Sequence, residues 1–424
     1  MPLNHSFAAL AVASFAMLLS ATPALAQSAT DDSDLFPEDE QVLRFGNDTN
    51  NVVISPFIQL DGGYTSIDPD GAFGGVDEGF DAKVRLARLY VFLNGERVGG
   101  TLAFNFHDTD FDVAYAFASF DVTDDITVKI GQQDQPFSLQ DMSGSRFLPF
   151  AEAGQSAALI PGDNAGITAF YYGDRFSLAG GAFIGDFNTG LQDEGYALTG
   201  RATFAPIYEE GRITRGGDAT KNGVGTQRVE RLLHLGVGLS GRFDIEEGLS
   251  FSGGGSSSLV ETSLASTETF SSVDELLRGN LELAFANGSF GVQGELTGVH
   301  LDGIANSRRV EGFGHGGYLY ATYFLTGERR GYSPSSGTFG RVVPIDPIDD
   351  GGVGAIEIGA RVDYLDLTDL GPDAGAQVGA SLVVNDYLTK RVTLTGDYSY
   401  TRLIDGPDEG ADVHAFTARL QFAY

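Results

Sequence analysis

From Val52 onward, apolar and polar side chains alternate with a period close to two along most of the chain, the spacing of strands that present one apolar face. The pattern is clearest near the end. Across 391–402, Val392, Leu394, Tyr398 and Tyr400 fall on one face, and Thr393, Thr395, Asp397, Ser399 and Thr401 on the other. The last stretch repeats it, with Phe416, Leu420, Phe422 and Tyr424 opposite Thr417, Arg419 and Gln421. Ile356, Ile358 and Val362 alternate with Glu357, Arg361 and Asp363 in the same way, as do Ile126, Val128 and Ile130 with Thr127, Lys129 and Gln133. Alternation alone does not separate a soluble β-sandwich from a membrane barrel.

Connection lengths make that separation. The pattern predicts about sixteen strands, at 52–65, 82–95, 97–107, 112–122, 125–133, 165–173, 175–185, 196–206, 231–244, 277–287, 289–301, 313–327, 353–367, 374–386, 390–404 and 411–424. An even number suits a bacterial antiparallel barrel. With both termini periplasmic, the connections 95–97, 122–125, 173–175, 287–289 and 386–390 fall on the periplasmic side, and each is short. The connections at 67–81, 134–164, 186–195, 366–373 and 405–412 fall outside and are acidic. Two long periplasmic connections, 207–230 and 328–352, break the rule. The expected fold is therefore all-β, a transmembrane antiparallel β-barrel with an inward-folded constriction loop.

The start of the chain has a different texture. Met1 to Ala26 carries no acidic or basic side chain, holds an apolar stretch from Phe7 to Leu19, and ends in Ala24-Leu25-Ala26. This reads as a signal peptide with a small-residue cleavage site near Ala26. The stretch is too short for a membrane helix, which needs about 20 residues, and no later apolar run reaches ~18. Residues 27–50 are polar and acidic and are read as a flexible lead, leaving 51–424 for the barrel.

Composition narrows the function classes. A formal net charge of -32 argues against nucleic-acid partners, which require basic surface. No cysteine is present, so neither disulfides nor thiolate metal sites contribute. The 31 Phe and 16 Tyr can form aromatic girdles, a task they would perform without Trp, since there is none. Tyr424, an aromatic terminal residue closing an apolar strand face, resembles the signal by which barrel-assembly machinery selects its clients.

Specific segments then carry a family resemblance. Gly131-Gln132-Gln133-Asp134-Gln135-Pro136-Phe137-Ser138-Leu139, continuing to Ser145-Arg146-Phe147-Leu148 and Glu152, is similar to the strand-plus-loop signature of the phosphate-selective porin O and P family. So are Val84 to Leu89, Tyr323 to Glu328, Phe339 to Val342, and Ile356-Glu357 through Arg361 to Leu367, in family order. The resemblance implies a homotrimer of sixteen-stranded barrels, with the loop after the fifth strand, 134–164, folded inward. It also suggests that 328–352 folds into the barrel.

The solute does not follow from the resemblance. An anion filter needs fixed positive charge along the lumen. This chain has four lysines, Lys83, Lys129, Lys221 and Lys390, and its expected lumen positions mix Arg201, Arg361 and Arg419 with Glu282, Glu295, Glu357 and Asp397. Arg146 is the one base on the inward loop, against Asp134, Asp141, Glu152 and Asp163, and a structural ion pair with Asp141 or Glu152 stands beside a role at the pore. Lys83, Arg85 and Arg88 form the densest early basic cluster, read either as pore lining or as partners for neighbouring carboxylates.

Other motifs reduce to ordinary readings. Gly236 to Gly241 fits G-x-G-x-x-G but opens no helix, so it lacks the geometry that cradles phosphate. Glycines relieving crowding in a strand are the alternative. Asp108 to Asp112 starts like a calcium loop, yet Val113 and Ser119 occupy its sixth and twelfth positions, where Gly and Glu are required. Bridging of acidic loops to lipopolysaccharide by divalent ions is weighed against a solvated loop. His107, His234, His300, His315 and His414 show no ligand spacing, and no nucleophile elbow occurs. The expectation is an outer-membrane porin passing small hydrophilic solutes and ions, with no enzymatic activity and no cofactor. Its expected partners are outer-membrane lipid and lipopolysaccharide, barrel-assembly machinery and two further copies. An anion- or phosphate-selective channel is the alternative within the class; a soluble periplasmic binding module and an outer-membrane hydrolase are those outside it.

Overall fold

The computed structural model describes residues 43–424 apart from 70–71, 75–77, 108–109, 192–193, 212–227 and 247. The expected signal peptide, most of the acidic lead and Lys221 lie outside the described residues. Sixteen strands form one antiparallel barrel. They are β1 (Asn51–Asp68), β2 (Gly79–Asn94), β3 (Val98–His107), β4 (Asp110–Asp121), β5 (Ile126–Gln133), β6 (Asn164–Tyr172), β7 (Phe176–Phe183) and β8 (Tyr196–Gly211). β9 (Arg228–Ile245), β10 (Phe270–Asn287), β11 (Phe290–Ala305), β12 (Arg308–Phe324), β13 (Ala355–Asp366), β14 (Ala376–Tyr387), β15 (Val392–Asp405) and β16 (Asp412–Ala423) complete the ring. Each strand pairs with the next, and β16 returns to β1 over Phe57↔Ala423 to Asp68↔Asp412. Closure removes the open sheet edges that lipid cannot satisfy.

The start of β1 and the C-terminal residue meet at one rim, the terminal rim, where Ser55 Oγ donates to the Tyr424 carbonyl. The opposite, loop rim carries the remaining connections. Alternation holds around the ring. On β10, Leu277, Leu281, Leu283 and Phe285 are exposed outward while Arg278, Asn280, Glu282 and Ala284 are buried inward. Outward aromatics gather at both rims. Phe176, Phe204, Phe290 and Tyr323 lie near the terminal rim, and Tyr64, Phe80, Tyr398 and Phe416 near the loop rim, with Leu, Ile and Val between them. A soluble module would not leave such a belt in water.

Several expected boundaries move. Leu43–Gly46, placed in the structureless lead, is a strand paired with Asn51–Ile54, because the chain doubles back at 47–50 and can satisfy its backbone against the start of β1. β8 and β9 continue past their expected ends until Arg228 pairs with Gly211. β10 begins at Phe270, not 277. β11 and β12 run on to a two-residue turn, Asn306-Ser307, where both residues take positive φ (47° and 62°) as a tight hairpin demands.

Three segments fill the interior. Residues 134–163 and the described residues of 246–269 fold in from the loop rim, and 325–354 folds in from the terminal rim. The last of these accounts for one of the two connections that broke the length rule. Leu159, Phe251, Phe270, Leu276, Leu301 and Leu365 form an apolar core near the loop rim. Leu139, Leu232, Ala284, Tyr332 and Phe339 form a second one around the terminal-rim segment.

Candidate channel constriction

The loop after β5 crosses the lumen by a series of side-chain anchors. Gln135 spans its two ends, donating to Asn164 Oδ1 (2.6 Å) and accepting from Thr199 Oγ1 (2.6 Å). The Phe137 carbonyl then passes so near Gly238 that a Cβ there would lie 2.1 Å from its oxygen. Gly236 is likewise crowded, by the Glu282 carboxylate. The G-x-G-x-x-G run is thus a strand face cleared for a crossing loop and a buried side chain.

One turn of helix, Leu139–Ser143, follows. Its first N–H groups are satisfied by the Glu295 carboxylate, which accepts from Leu139 N (3.0 Å) and Gln140 N (2.8 Å), as an acidic group at a helix start should. Asn280 and Tyr318 hold that carboxylate from the barrel wall. Farther on, Asn385 Nδ2 donates to the Pro149 carbonyl (2.8 Å), Ala151 N donates to Asp397 Oδ2 (3.0 Å), and Arg419 donates to the Ala151 carbonyl.

The loop ends its crossing at a charge cluster. Glu152 accepts from Arg85 Nε (2.7 Å) and Nη2 (2.8 Å) and from Arg419 Nη2 (2.8 Å). Arg419 is also bidentate to Asp61, at 2.6 and 2.7 Å. Arg361 donates to Asp363 (2.8 Å) and to the Glu152 carbonyl (2.7 Å). Burial would raise the Glu152 carboxyl pKa, but hydrogen bonding and charge from Arg85, with Arg419 beside it, hold it below the ordinary value, so the group is ionised at neutral pH.

A second buried cluster pins the terminal-rim segment. Arg201 is bidentate to Glu282 (2.7 and 2.8 Å) and donates to the carbonyls of Ser336 (3.2 Å) and Gly337 (2.8 Å). His234, fully buried, bridges Glu282 (2.9 Å) and Tyr332 OH (2.6 Å). Arg330 ties the same segment to the constriction loop through the Phe147 carbonyl (2.8 Å).

All twelve residues singled out from the sequence face the interior, in different surroundings. Lys83 pairs with Glu261 of the 246–269 segment (2.8 Å). Lys83, Arg85 and Arg88 cannot share one face of a regular strand. A bulge opposite Gln59 and Leu60 reverses the alternation, so Lys83 and Arg85 point inward before it and Arg88 after it. Arg88 donates to Asn105 (2.6 Å) and Tyr90 (3.1 Å), not to a carboxylate. Lys129 sits 4.9 Å from both the Phe117 and Phe170 ring centres. Glu357 is wholly buried against Asn385 and Tyr387. Of the two readings for Arg146, the ion pair with Asp141 or Glu152 is not formed: its guanidinium lies 4.7 Å from the Tyr90 ring centre, while Glu152 is committed to Arg85 and Arg419.

Residues 58–424 match the family model for phosphate-selective porin O and P. The chain belongs to that family. The porin is an outer-membrane channel, and solved porins share its fold at low sequence identity. The DcaP channel of Acinetobacter baumannii superposes with a TM-score of 0.53 at 13% identity, over 89% of this chain and 99% of that one. The anion-selective porin of Comamonas acidovorans gives 0.51 at 13%, over 88% and 100%. OmpT of Vibrio cholerae in its trimer form gives 0.51 at 11%, over 88% and 99%. An uncharacterised protein of Caulobacter vibrioides is 28% identical over 334 residues, 76% of the porin and 62% of that protein's length.

Sequence reasoning missed Asp61, Glu194, Arg242, Arg278 and Arg330, and the whole inward course of 246–269. Strand parity could have found Arg278, which shares a face with Asn280 and Glu282. Nothing in the sequence pairs Asp61 with Arg419, since that depends on the register with which the barrel closes. Among the described residues, cavities of about 460 and 470 Å³ lie on the loop-rim side of the constriction. The first is bordered by Lys83, Arg85, Glu152 and the Gly/Ser run 252–258, and the second by Asn105, Asp163, Arg242 and Arg278. Among the described residues no cluster of metal-ligating side chains occurs.

Proposed function

We propose that the porin passes small hydrophilic solutes by passive diffusion, with ion preference set by a constriction of mixed sign. The observation that carries this reading is the Arg85–Glu152–Arg419–Asp61 cluster, where guanidinium and carboxylate neutralise one another at the inward loop. Lys83, Arg361 and Asp397 extend that mixed ring, Arg201 and Glu295 anchor the inward segments beneath it, and Glu357 braces Asn385, which holds the loop at the Pro149 carbonyl. Transport of this kind makes and breaks no covalent bond, so rate follows pore radius and fixed charge. In the membrane the working unit is a homotrimer with the terminal rim in the periplasm, a reading supported by the trimer form of the matched Vibrio cholerae protein. The acidic loops face lipopolysaccharide outside, and the leader ending near Ala26 directs export.

A second reading, anion preference, is favoured by Arg88, Arg146 and Lys129, which meet aromatic or neutral groups in place of carboxylates. Reversal potentials in planar bilayers under a KCl gradient decide between them. The first reading expects a potential near zero or weakly cation-selective. A strong anion preference would overturn it and establish the second.

A further inference from the structure

At the constriction Arg85, Arg361 and Arg419 are held by carboxylates, and so is Arg242, which donates to the Glu194 carboxylate (3.2 Å) and carbonyl (2.8 Å). Arg278 is not. It points inward from β10, is 8% exposed, and uses Nε to donate to the Leu159 carbonyl (3.0 Å). Its Nη1 has no hydrogen-bond partner, and among the described residues no carboxylate pairs with it. A buried guanidinium left in this way costs free energy unless a ligand or water completes it.

Arg278 borders the second cavity, whose wall also carries Asp112, Asp163, Asp186 and Glu194; Glu194 is committed to Arg242 and Asp186 to the Thr189 backbone N–H. Asp163 lines it without pairing to Arg278. Burial, then the nearby Asp134 carboxylate, raise the Asp163 pKa well above its ordinary value, so an ammonium group brought beside Asp163 supplies the positive charge that its ionised form lacks. Amide groups of Asn105 and Gln135 fill the wall between polar contacts. At about 470 Å³ the space has the size of a small-ligand site.

The mouth above decides which carboxylate-bearing solute can arrive. The chain carries a net charge of -32, and its outer connections hold Asp366, Asp369, Asp373, Asp405, Asp408 and Glu409. That field repels anions and leaves a net-neutral solute unaffected. We propose that the cavity between the constriction loop and β9–β10 is a binding site for small zwitterionic solutes of amino-acid or dipeptide size, with the solute carboxylate on Arg278 and its ammonium toward Asp163. The inference rests on the reading of the protein as a diffusion channel.

The test uses the purified porin in planar bilayers with symmetric KCl, adding glycylglycine to the loop-rim side. Acetate, methylammonium and inorganic phosphate serve as probes with one charge type each. Saturable current blockade by glycylglycine, weakened at least about tenfold in Arg278→Gln and also weakened in Asp163→Asn, is the expected result, a tenfold change being what loss of one charge-assisted contact brings. Arg278→Lys keeps the charge without the planar fork; it should block with intermediate affinity and preserves the test if the Gln variant fails to assemble. Blockade of equal strength by acetate or phosphate would overturn the proposal in favour of a bare anion site. So would blockade unchanged in both Arg278 variants, or none at all in a conducting channel. A protein with no KCl conductance would instead defeat the channel reading itself.

Discussion

Glu152 holds guanidiniums from β2 and β16, the two strands that flank β1 where the barrel closes. A single carboxylate therefore sets the sign of the constriction and ties the loop to the closure seam. Replacing Glu152 by Gln leaves Arg85 and the outer face of Arg419 uncompensated. One unit charge at about 4 Å in a water-like medium alters an ion's free energy by about 1 kcal/mol. We therefore expect reversal potentials of Glu152→Gln to shift toward anions by roughly fivefold in permeability ratio. An unchanged ratio would place the narrowest point elsewhere. The bulge beside Arg85 matters for the same reason, since a regular strand would have sent either Arg85 or Arg88 into lipid.

At the scale of elements, the inward segments depend on one another. Residues 325–354 have little regular structure of their own, with the pairing Tyr332–Ser333 to Thr338–Phe339 and one turn of 3-10 helix at Ile348–Asp350. They are placed by Arg201, by His234 against Tyr332, and by Arg330 reaching the constriction loop. Removing 329–345 and rejoining the chain with a short Gly/Ser turn should raise single-channel conductance several-fold while the barrel still folds, because every strand pairing of the ring lies outside the deleted stretch. Conductance recordings together with heat-dependent gel mobility check both halves of this prediction. A milder change, Glu295→Gln, withdraws the charge from the start of Leu139–Ser143. It should destabilise the loop by about 1 kcal/mol, read as added noise in the open-channel current.

For the whole molecule, the controlling quantity is the outward apolar belt. Leu281 is 61% exposed in mid-β10, between Val237 and Leu296 on the neighbouring strands. Leu281→Arg should cost roughly 2–4 kcal/mol of folding stability in lipid, the cost of a cation at the bilayer midplane, measured as a lowered denaturant midpoint in vesicles. About sixteen strands, their alternation and the short terminal-rim turns were legible in the sequence, because lipid enforces a period of two on each strand locally; the inward course of 134–164 and 328–352 was implied only by the family resemblance. Which faces carry Lys129, Arg201, Glu282, Arg361, Asp397 and Arg419 was legible on the same ground. The pairing of Arg419 with Asp61, of Arg85 with Glu152, and the unpaired state of Arg278 were not. These depend on barrel register, on a bulge and on where three inward segments meet, and such contacts join residues from 67 to 358 positions apart whose distances only the closed barrel sets.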